Sequence, residues 1–102
     1  MKQHTILLYQ YGKNEQGRKW NDYENLEGAM TAICQLFEDK LKKQHSNMSE
    51  ITYDGSDLLK FVDEMTDLAI MIYSPQTQSY SPFGKNWIKE KLVAHLKRQI
   101  SN

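Results

Sequence analysis

The sequence predicts an α+β fold: a small antiparallel β-sheet with three α-helices on one face, in the order β-α-(short β)-α-β-β-α. Three observations lead to this prediction. Short apolar runs at residues 5–9 and 68–73 have the length and composition of buried strands. Longer segments carry apolar residues at helical spacing. Turn-forming residues separate these segments, but no linker-like stretch divides residues 1–102, which predicts a single domain.

The first strand is predicted at residues 5–9, where β-branched, aliphatic and aromatic residues precede Gly12. The first helix is predicted next, because apolar residues recur at steps of three and four through Tyr23, Leu26, Met30, Ile33, Phe37 and Leu41. Asn21 and Glu24 have the spacing of a capping box, in which side chains at the two ends of the first turn bond its free N–H groups. The predicted helix therefore starts beside these two residues.

The remaining elements follow from shorter signals. Residues 51–53 are predicted to form a short extended piece, and residues 54–56 supply the cap of a second helix with apolar positions at Leu58, Leu59, Val62 and Met65. Residues 68–73 and 79–83 are predicted to pair as a hairpin around the turn at 74–77. The third helix is predicted from the spacing of Trp87, Ile88, Leu92, Leu96 and Ile100.

The predicted strands lack the alternation of apolar and polar residues that is expected of a sheet with one solvent-exposed face. Neither residues 6–8 nor residues 69–72 alternate, so both faces of the sheet are predicted to be buried. Helices of the chain cover one face, and the second is covered either by the third helix or by a second copy, since two-fold dimers are the commonest oligomers. For a dimer through the sheets, Leu7 and Tyr9 face the chain's own helices. The predicted dimer interface is formed by Ile6, Leu8, Met71 and Tyr80.

Catalytic, cofactor-binding and metal-binding residues are not predicted. His4, His45 and His95 lie far apart, without the spacing of metal ligands. Cys34 lies beside the apolar stripe of the first helix, where a small thiol is usually inert. No glycine-rich segment has the pattern of a phosphate-binding loop. We therefore expect a protein that is not an enzyme and needs no cofactor.

Composition bears on partners and location. Lys plus Arg and Asp plus Glu both number 13, so the formal net charge is zero and direct nucleic-acid binding, the alternative function, is disfavoured. One cysteine and the lack of a long apolar stretch predict an intracellular protein, nuclear or cytoplasmic, without a membrane partner. Six tyrosines and two tryptophans are typical of a binding module. The candidate partner-binding anchors are Tyr11, Trp20 and Tyr80.

Several strings of residues resemble the enhancer-of-rudimentary family, in order and without gaps from about residue 4 to residue 99. These strings are His4-Thr5-Ile6-Leu7-Leu8, Asp22-Tyr23-Glu24, Ile51-Thr52-Tyr53-Asp54, Asp67-Leu68, Tyr73, Thr77-Gln78, Tyr80, Pro82 and Trp87-Ile88-Lys89-Glu90-Lys91. They are long and chemically mixed, so chance agreement is improbable.

The resemblance implies a homodimer in which antiparallel sheets face each other and helices lie outside. It also implies an adaptor without known catalytic activity, which binds short segments of RNA-binding or RNA-processing proteins. Such partners act in the elimination of meiotic transcripts, in splicing, in microRNA processing and in small-RNA biogenesis. The sequence departs from the better-known animal members at Lys19 and Asn25, where they carry phosphoacceptor Thr and Ser. Gly55, Gly84 and the segment Tyr9-Gln10-Tyr11-Gly12 also differ, as in a divergent paralogue.

Overall fold

A computed structural model describes residues 3–10, 17–44 and 54–100, with side chains described through residue 98. Its four strands form one antiparallel sheet in the order β2-β1-β3-β4. The elements are β1 (Thr5–Gln10), β2 (Arg18–Tyr23), α1 (Leu26–Gln44), α2 (Gly55–Glu64), β3 (Asp67–Ser74), β4 (Ser79–Phe83) and α3 (Lys85–Ile100). The predicted α+β class, with an antiparallel sheet and three helices, is confirmed.

Strand β2 is an addition to the predicted order. It pairs with β1 along its whole length, with Tyr23 opposite Thr5. The predicted helix start is wrong, because Tyr23 ends this strand and α1 begins at Leu26. The residue that caps α1 is Asn25, whose Oδ1 accepts a hydrogen bond from the Gly28 N–H at 2.9 Å. The capping pair predicted at Asn21 and Glu24 is therefore replaced by a cap one helical turn later.

Helix α2 starts as predicted, with a reciprocal capping box. Asp54 accepts a hydrogen bond from the Asp57 N–H at 3.0 Å, and the Asp57 carboxylate accepts one from the Asp54 N–H at 3.3 Å. Phe61 is buried in this helix, whereas Leu59, which was predicted to point inward, is only half-buried. The short strand predicted at residues 51–53 lies outside the described residues.

The predicted hairpin is confirmed, with Ser74 opposite Ser79 and Ile70 opposite Phe83. Helix α3 then returns across the sheet. Its residues Ile88 and Leu92 are fully buried, as their spacing predicts. The side chain of Ile100 lies outside the described residues.

All three helices lie on the same face of the sheet. Leu7 of β1 lies opposite Ile70 of β3, and both side chains are fully buried. They form one core with residues from every helix, including Ile33, Leu58 and Ile88. Burying each such side chain contributes roughly 1.5–3 kcal/mol. Because α3 packs into this core, the alternative in which it covers the second face of the sheet is wrong.

Candidate interaction face

The side of the sheet opposite the helices, called the open face below, carries apolar side chains from all four strands. Residues directly opposite each other in paired strands point to the same face, so the register assigns its members. Ile6 lies opposite Met71, and Leu8 lies opposite both Ala69 and Trp20. Met71 in turn lies opposite Pro82. No described helix covers these residues, and Leu8 is 36% exposed.

The four residues predicted to form the dimer interface, Ile6, Leu8, Met71 and Tyr80, all lie on the open face. Ile6 and Met71 are half-buried at its centre, and Tyr80 is 37% exposed near one end. The period of two in β1 also places Leu7 and Tyr9 among the helices, as predicted. The structure thus brings the predicted residues together on one surface.

Two of the three predicted partner-binding anchors also lie on this face. Trp20 is 66% exposed on β2, and Tyr80 lies on β4 at the other side of the sheet. The third anchor, Tyr11, lies outside the described residues. Trp20 and Tyr80 therefore lie on opposite edge strands, so one small ligand on a single sheet cannot use both.

One end of the open face is polar and ordered by a histidine. His4 Nε2 lies 2.8 Å from Asp22 Oδ2, and His4 Nδ1 lies 2.7 Å from Tyr80 Oη. The Tyr80 ring also packs on Tyr73, with centroids 5.2 Å apart. The hydrogen bond from His4 lowers the pKa of the Asp22 carboxyl. This cluster joins three strands through side chains and keeps a carboxylate charged at the rim of the face.

The opposite end of the open face is also polar. Arg18 Nε donates a hydrogen bond to Gln10 Oε1 at 2.9 Å. A shallow pocket of about 140 Å³ lies there, lined partly by Leu8, Trp20 and Asp67. The open face thus has an apolar centre between two polar ends, which is the usual make-up of a protein–protein interface.

The described residues form no centre with evident catalytic chemistry. Within residues 3–10, 17–44 and 54–100, no group of three His, Cys, Asp or Glu residues could hold a metal ion. Cys34 is buried, and burial raises the pKa of its thiol to about 11. His95 is buried beside Glu27, at 2.8 Å, where it links α3 to α1. None of the helices in the described part of the chain is long and apolar enough to cross a membrane.

Sequence reasoning missed two contributors to the open face. Residues 18–23 are mostly charged or amide residues, so their pattern gave no sign of a strand. The sequence alone indicates no partner for His4, because Asp22 and Tyr80 are 18 and 76 residues away in the chain. The usable signal for His4 was its position two residues before Ile6, which places both on one face of a strand.

Comparison with known proteins agrees with the resemblance found in the sequence. A family model described as Enhancer of rudimentary matches residues 1–102. The chain belongs to the enhancer of rudimentary family. It is similar to the enhancer of rudimentary homolog of Dictyostelium discoideum, with 39% identity over 95 residues that span 93% of this chain and 95% of the relative. The homolog of Caenorhabditis elegans is 37% identical over 99 residues, 97% of this chain and 96% of the relative.

A third relative, the enhancer of rudimentary homolog of Taenia solium, is 42% identical over 97 residues, covering 94% of this chain and 95% of the relative. The strings that carry the resemblance to the enhancer of rudimentary family map partly to the open face. His4, Ile6 and Leu8 come from the first string, and Asp22 and Tyr80 come from later ones. Both the apolar centre and the His4 cluster are therefore built from these strings.

Proposed function

We propose that this chain is a non-enzymatic homodimeric adaptor, in which two copies meet through their open faces. The dimer then holds short segments of RNA-binding or RNA-processing proteins. The observation that carries the proposal is the apolar surface of the open face, which extends from the centre, where Leu8 is 36% exposed, to the edge strand, where Trp20 is 66% exposed. Soluble monomers rarely leave large apolar patches uncovered, so a patch that crosses a whole sheet calls for a partner surface.

A second copy of the chain fits this surface. An isologous interface needs a patch that is complementary to itself, and an apolar centre between polar ends meets this need. The formal net charge of zero means that two copies approach without net repulsion. The family resemblance also implies face-to-face packing of two sheets. We therefore assign the interface to Ile6, Leu8, Met71 and Tyr80.

The adaptor role follows from the resemblance and from the exposed aromatic residues. Trp20 projects from an edge strand, so it borders the proposed interface and remains available to a partner. Tyr and Trp are the residues that most often anchor protein–protein contacts. A two-fold dimer presents every site twice, so two partner segments per dimer are expected.

Direct nucleic-acid binding, the alternative function, finds no support among the described residues. Lys40 pairs with Glu64 at 3.1 Å, and Lys89 pairs with Asp63 at 2.8 Å. Carboxylates thus neutralise two of the lysines that could have formed a basic patch. A zero net charge likewise gives no broad attraction for phosphates.

The dimer is tested by placing charge at the centre of the open face. The double variant Ile6→Arg, Leu8→Arg should sediment as a monomer, because burying two unpaired charges costs several kcal/mol. The matched control, Thr31→Arg with Glu90→Arg, changes two exposed helix positions and should remain a dimer. Circular dichroism must show that both variants are folded. A dimer that persists in the Ile6, Leu8 variant contradicts the assigned interface.

The adaptor role is tested with the same two variants. Proteins bound to the chain in its native cell are isolated with and without ribonuclease and identified. RNA-binding or RNA-processing proteins should be recovered with the wild type and the control variant. Recovery that depends on intact RNA would instead indicate direct binding of nucleic acid.

A further inference from the structure

The two edges of the sheet differ in their capacity to pair with another strand. Strands β2 and β4 are the edges. Strand β4 contains Pro82, which has no backbone N–H to donate. Strand β2 spans six residues, Arg18–Tyr23, and contains no proline. An additional strand can therefore pair along the whole of β2, while Pro82 interrupts the other edge.

The hydrogen-bond pattern shows which groups of β2 face its free edge. The Tyr73 N–H donates to the His4 carbonyl at 2.9 Å, so the backbone N–H and C=O groups of the even-numbered residues of β1 point toward β3. The backbone groups of the odd-numbered residues of β1 then point toward β2, where they bond odd-numbered residues of that strand. By this alternation, the backbone N–H and C=O groups of Trp20 and Asp22 point to the free edge.

A groove lies beside this edge, between α1 and the helix-facing side of β2. Two cavities of about 180 and 410 Å³ share Tyr9 and Leu36 in their linings. The first extends to Ala32. Because the groove lies on the helix side of the sheet, a second copy on the open face leaves it accessible. Alternate side chains of a strand added to β2 would enter it.

One end of the groove is basic. Lys19 and Lys43 line one end, together with Asp39 and Lys40. Lys40 is paired with Glu64. Among the described residues, no carboxylate forms an ion pair with Lys19 or Lys43. This end of the groove therefore suits an acidic side chain, and the middle, at Leu36, suits an apolar one.

We propose that β2 accepts an extended acidic peptide segment as a fifth strand. The segment bonds the backbone groups of Trp20 and Asp22, seats an apolar residue against Leu36, and directs acidic residues to Lys19 and Lys43. This inference rests on the proposed adaptor function, because it specifies where and by what chemistry the partner segment binds. Pairing through the backbone gives affinity, and the groove selects the side chains.

The probe is a synthetic ten-residue peptide, capped at both ends, with three glutamates followed by alternating threonine and leucine. The control peptide has lysines in place of the glutamates. Calorimetry should show that the glutamate peptide binds at least about tenfold more tightly, because only its charges complement the groove. Binding of that peptide should protect the amides of Trp20 and Asp22 from hydrogen exchange.

Two variants at one position separate backbone pairing from side-chain contact. Both Trp20→Pro and Trp20→Thr remove the indole, but only the proline removes the N–H that faces the free edge. An edge strand tolerates such a proline. The glutamate peptide should bind the proline variant about tenfold more weakly than the threonine variant, the effect of one lost hydrogen bond. The double variant Lys19→Glu, Lys43→Glu should prefer the lysine peptide.

Sedimentation of the same samples keeps this inference separate from the proposed dimer. A wild-type chain that is monomeric would overturn the dimer, while the peptide data still test the edge of each chain. A dimer that does not bind the glutamate peptide would overturn the inference. Equal binding by the two Trp20 variants, protection that leaves the amides of Trp20 and Asp22 exchanging as in the free chain, or displacement of the peptide by single-stranded RNA would also overturn it.

Discussion

Tyr80 Oη lies 2.7 Å from His4 Nδ1, so a side chain of the last strand bonds the residue just before the first strand. The other ring nitrogen of His4 lies 2.8 Å from Asp22 on β2. In the neutral tautomer with the proton on Nε2, His4 donates to Asp22 and accepts from the Tyr80 hydroxyl. One imidazole at the rim of the open face thus links the two edge strands, β2 and β4, across the two central strands.

Replacing this imidazole should change the titration of Asp22. The hydrogen bond from His4 is the main cause that holds the pKa of Asp22 below its usual 3.8. We expect the pKa of Asp22 to rise toward 3.8 in His4→Phe, which keeps a ring but loses both nitrogens. The measurement is a carbon NMR titration of the Asp22 carboxyl. An unchanged pKa would show that His4 does not hold the carboxylate in solution.

The same contact makes a prediction for stability in acid. A carboxyl whose pKa is lower in the folded state stabilises the fold above its unfolded pKa, here about 3.8, and that contribution is lost as the pH falls through the folded value. Below about pH 4, the wild type should therefore lose stability more steeply than His4→Phe. Urea unfolding at a series of pH values measures the difference.

Much of the fold could be predicted because the decisive signals are local. The run at residues 68–73 predicts β3, and the spacing of Ile88 and Leu92 predicts the buried side of α3. Strand β2 could not be found in this way. Five of its six residues are exposed, and Tyr23 lies at helical spacing from Leu26, so the helix pattern extends into the strand. Pairing with β1, a non-local interaction, decides its conformation.

The candidate site could be predicted only in part, for the same reason. From the sequence alone, the period of two in β1 places Ile6 and Leu8 on one face of the strand and Leu7 on the other. Placing Met71 on the same face depends on the register between β1 and β3, which sets Met71 opposite Ile6. The bond between His4 and Tyr80 joins residues 76 positions apart, and no local pattern encodes it.

Two neighbouring lysines of α3 should differ in their effect on stability. Lys85 donates to the carbonyl of Met65, which caps α2, and this contact is partly buried. Lys89 makes an ion pair with Asp63, whose side chain is 56% exposed. Lys85→Met should lower the free energy of unfolding by about 1–2 kcal/mol, because the C-terminus of α2 loses a charged hydrogen-bond donor. Lys89→Met, the control, should cost less than about 1 kcal/mol. Equal losses in urea unfolding would contradict the assigned cap.

The turn between β3 and β4 contains a residue that glycine should improve. Gln78 has a φ of 53°, in the left-handed region that costs an L residue roughly 1–2 kcal/mol. Gln78→Gly should therefore raise the free energy of unfolding by about 0.5–1 kcal/mol, after allowing for the flexibility of glycine in the unfolded chain. Gln78→Val should lower it, because a β-branched residue tolerates this conformation least. Thermal unfolding of both variants checks the order, and a less stable glycine variant would contradict it.

Cys34 should behave as an inert core residue with a distinct response to alkaline pH. Burial, with a smaller effect from the Glu38 carboxylate, raises the pKa of its thiol from 9.0 to about 11. The unfolded thiol therefore ionises first, so the stability contributed by this group is complete below pH 9 and is lost as the pH rises toward 11. Cys34→Ala should lack this component of the alkaline loss when the two proteins are compared by urea unfolding.

At neutral pH, Cys34→Ala should lower the free energy of unfolding by only about 1–2 kcal/mol, the usual effect of truncating a small buried side chain. The native thiol should react with iodoacetamide far more slowly than the thiol of the unfolded chain, since the thiolate is the nucleophile and the folded protein keeps it protonated. Partner binding should be unchanged, because Cys34 is buried in the core and lines neither cavity of the groove. Rapid alkylation of the folded chain, or a loss of binding at unchanged stability, would show that the thiol has a functional role.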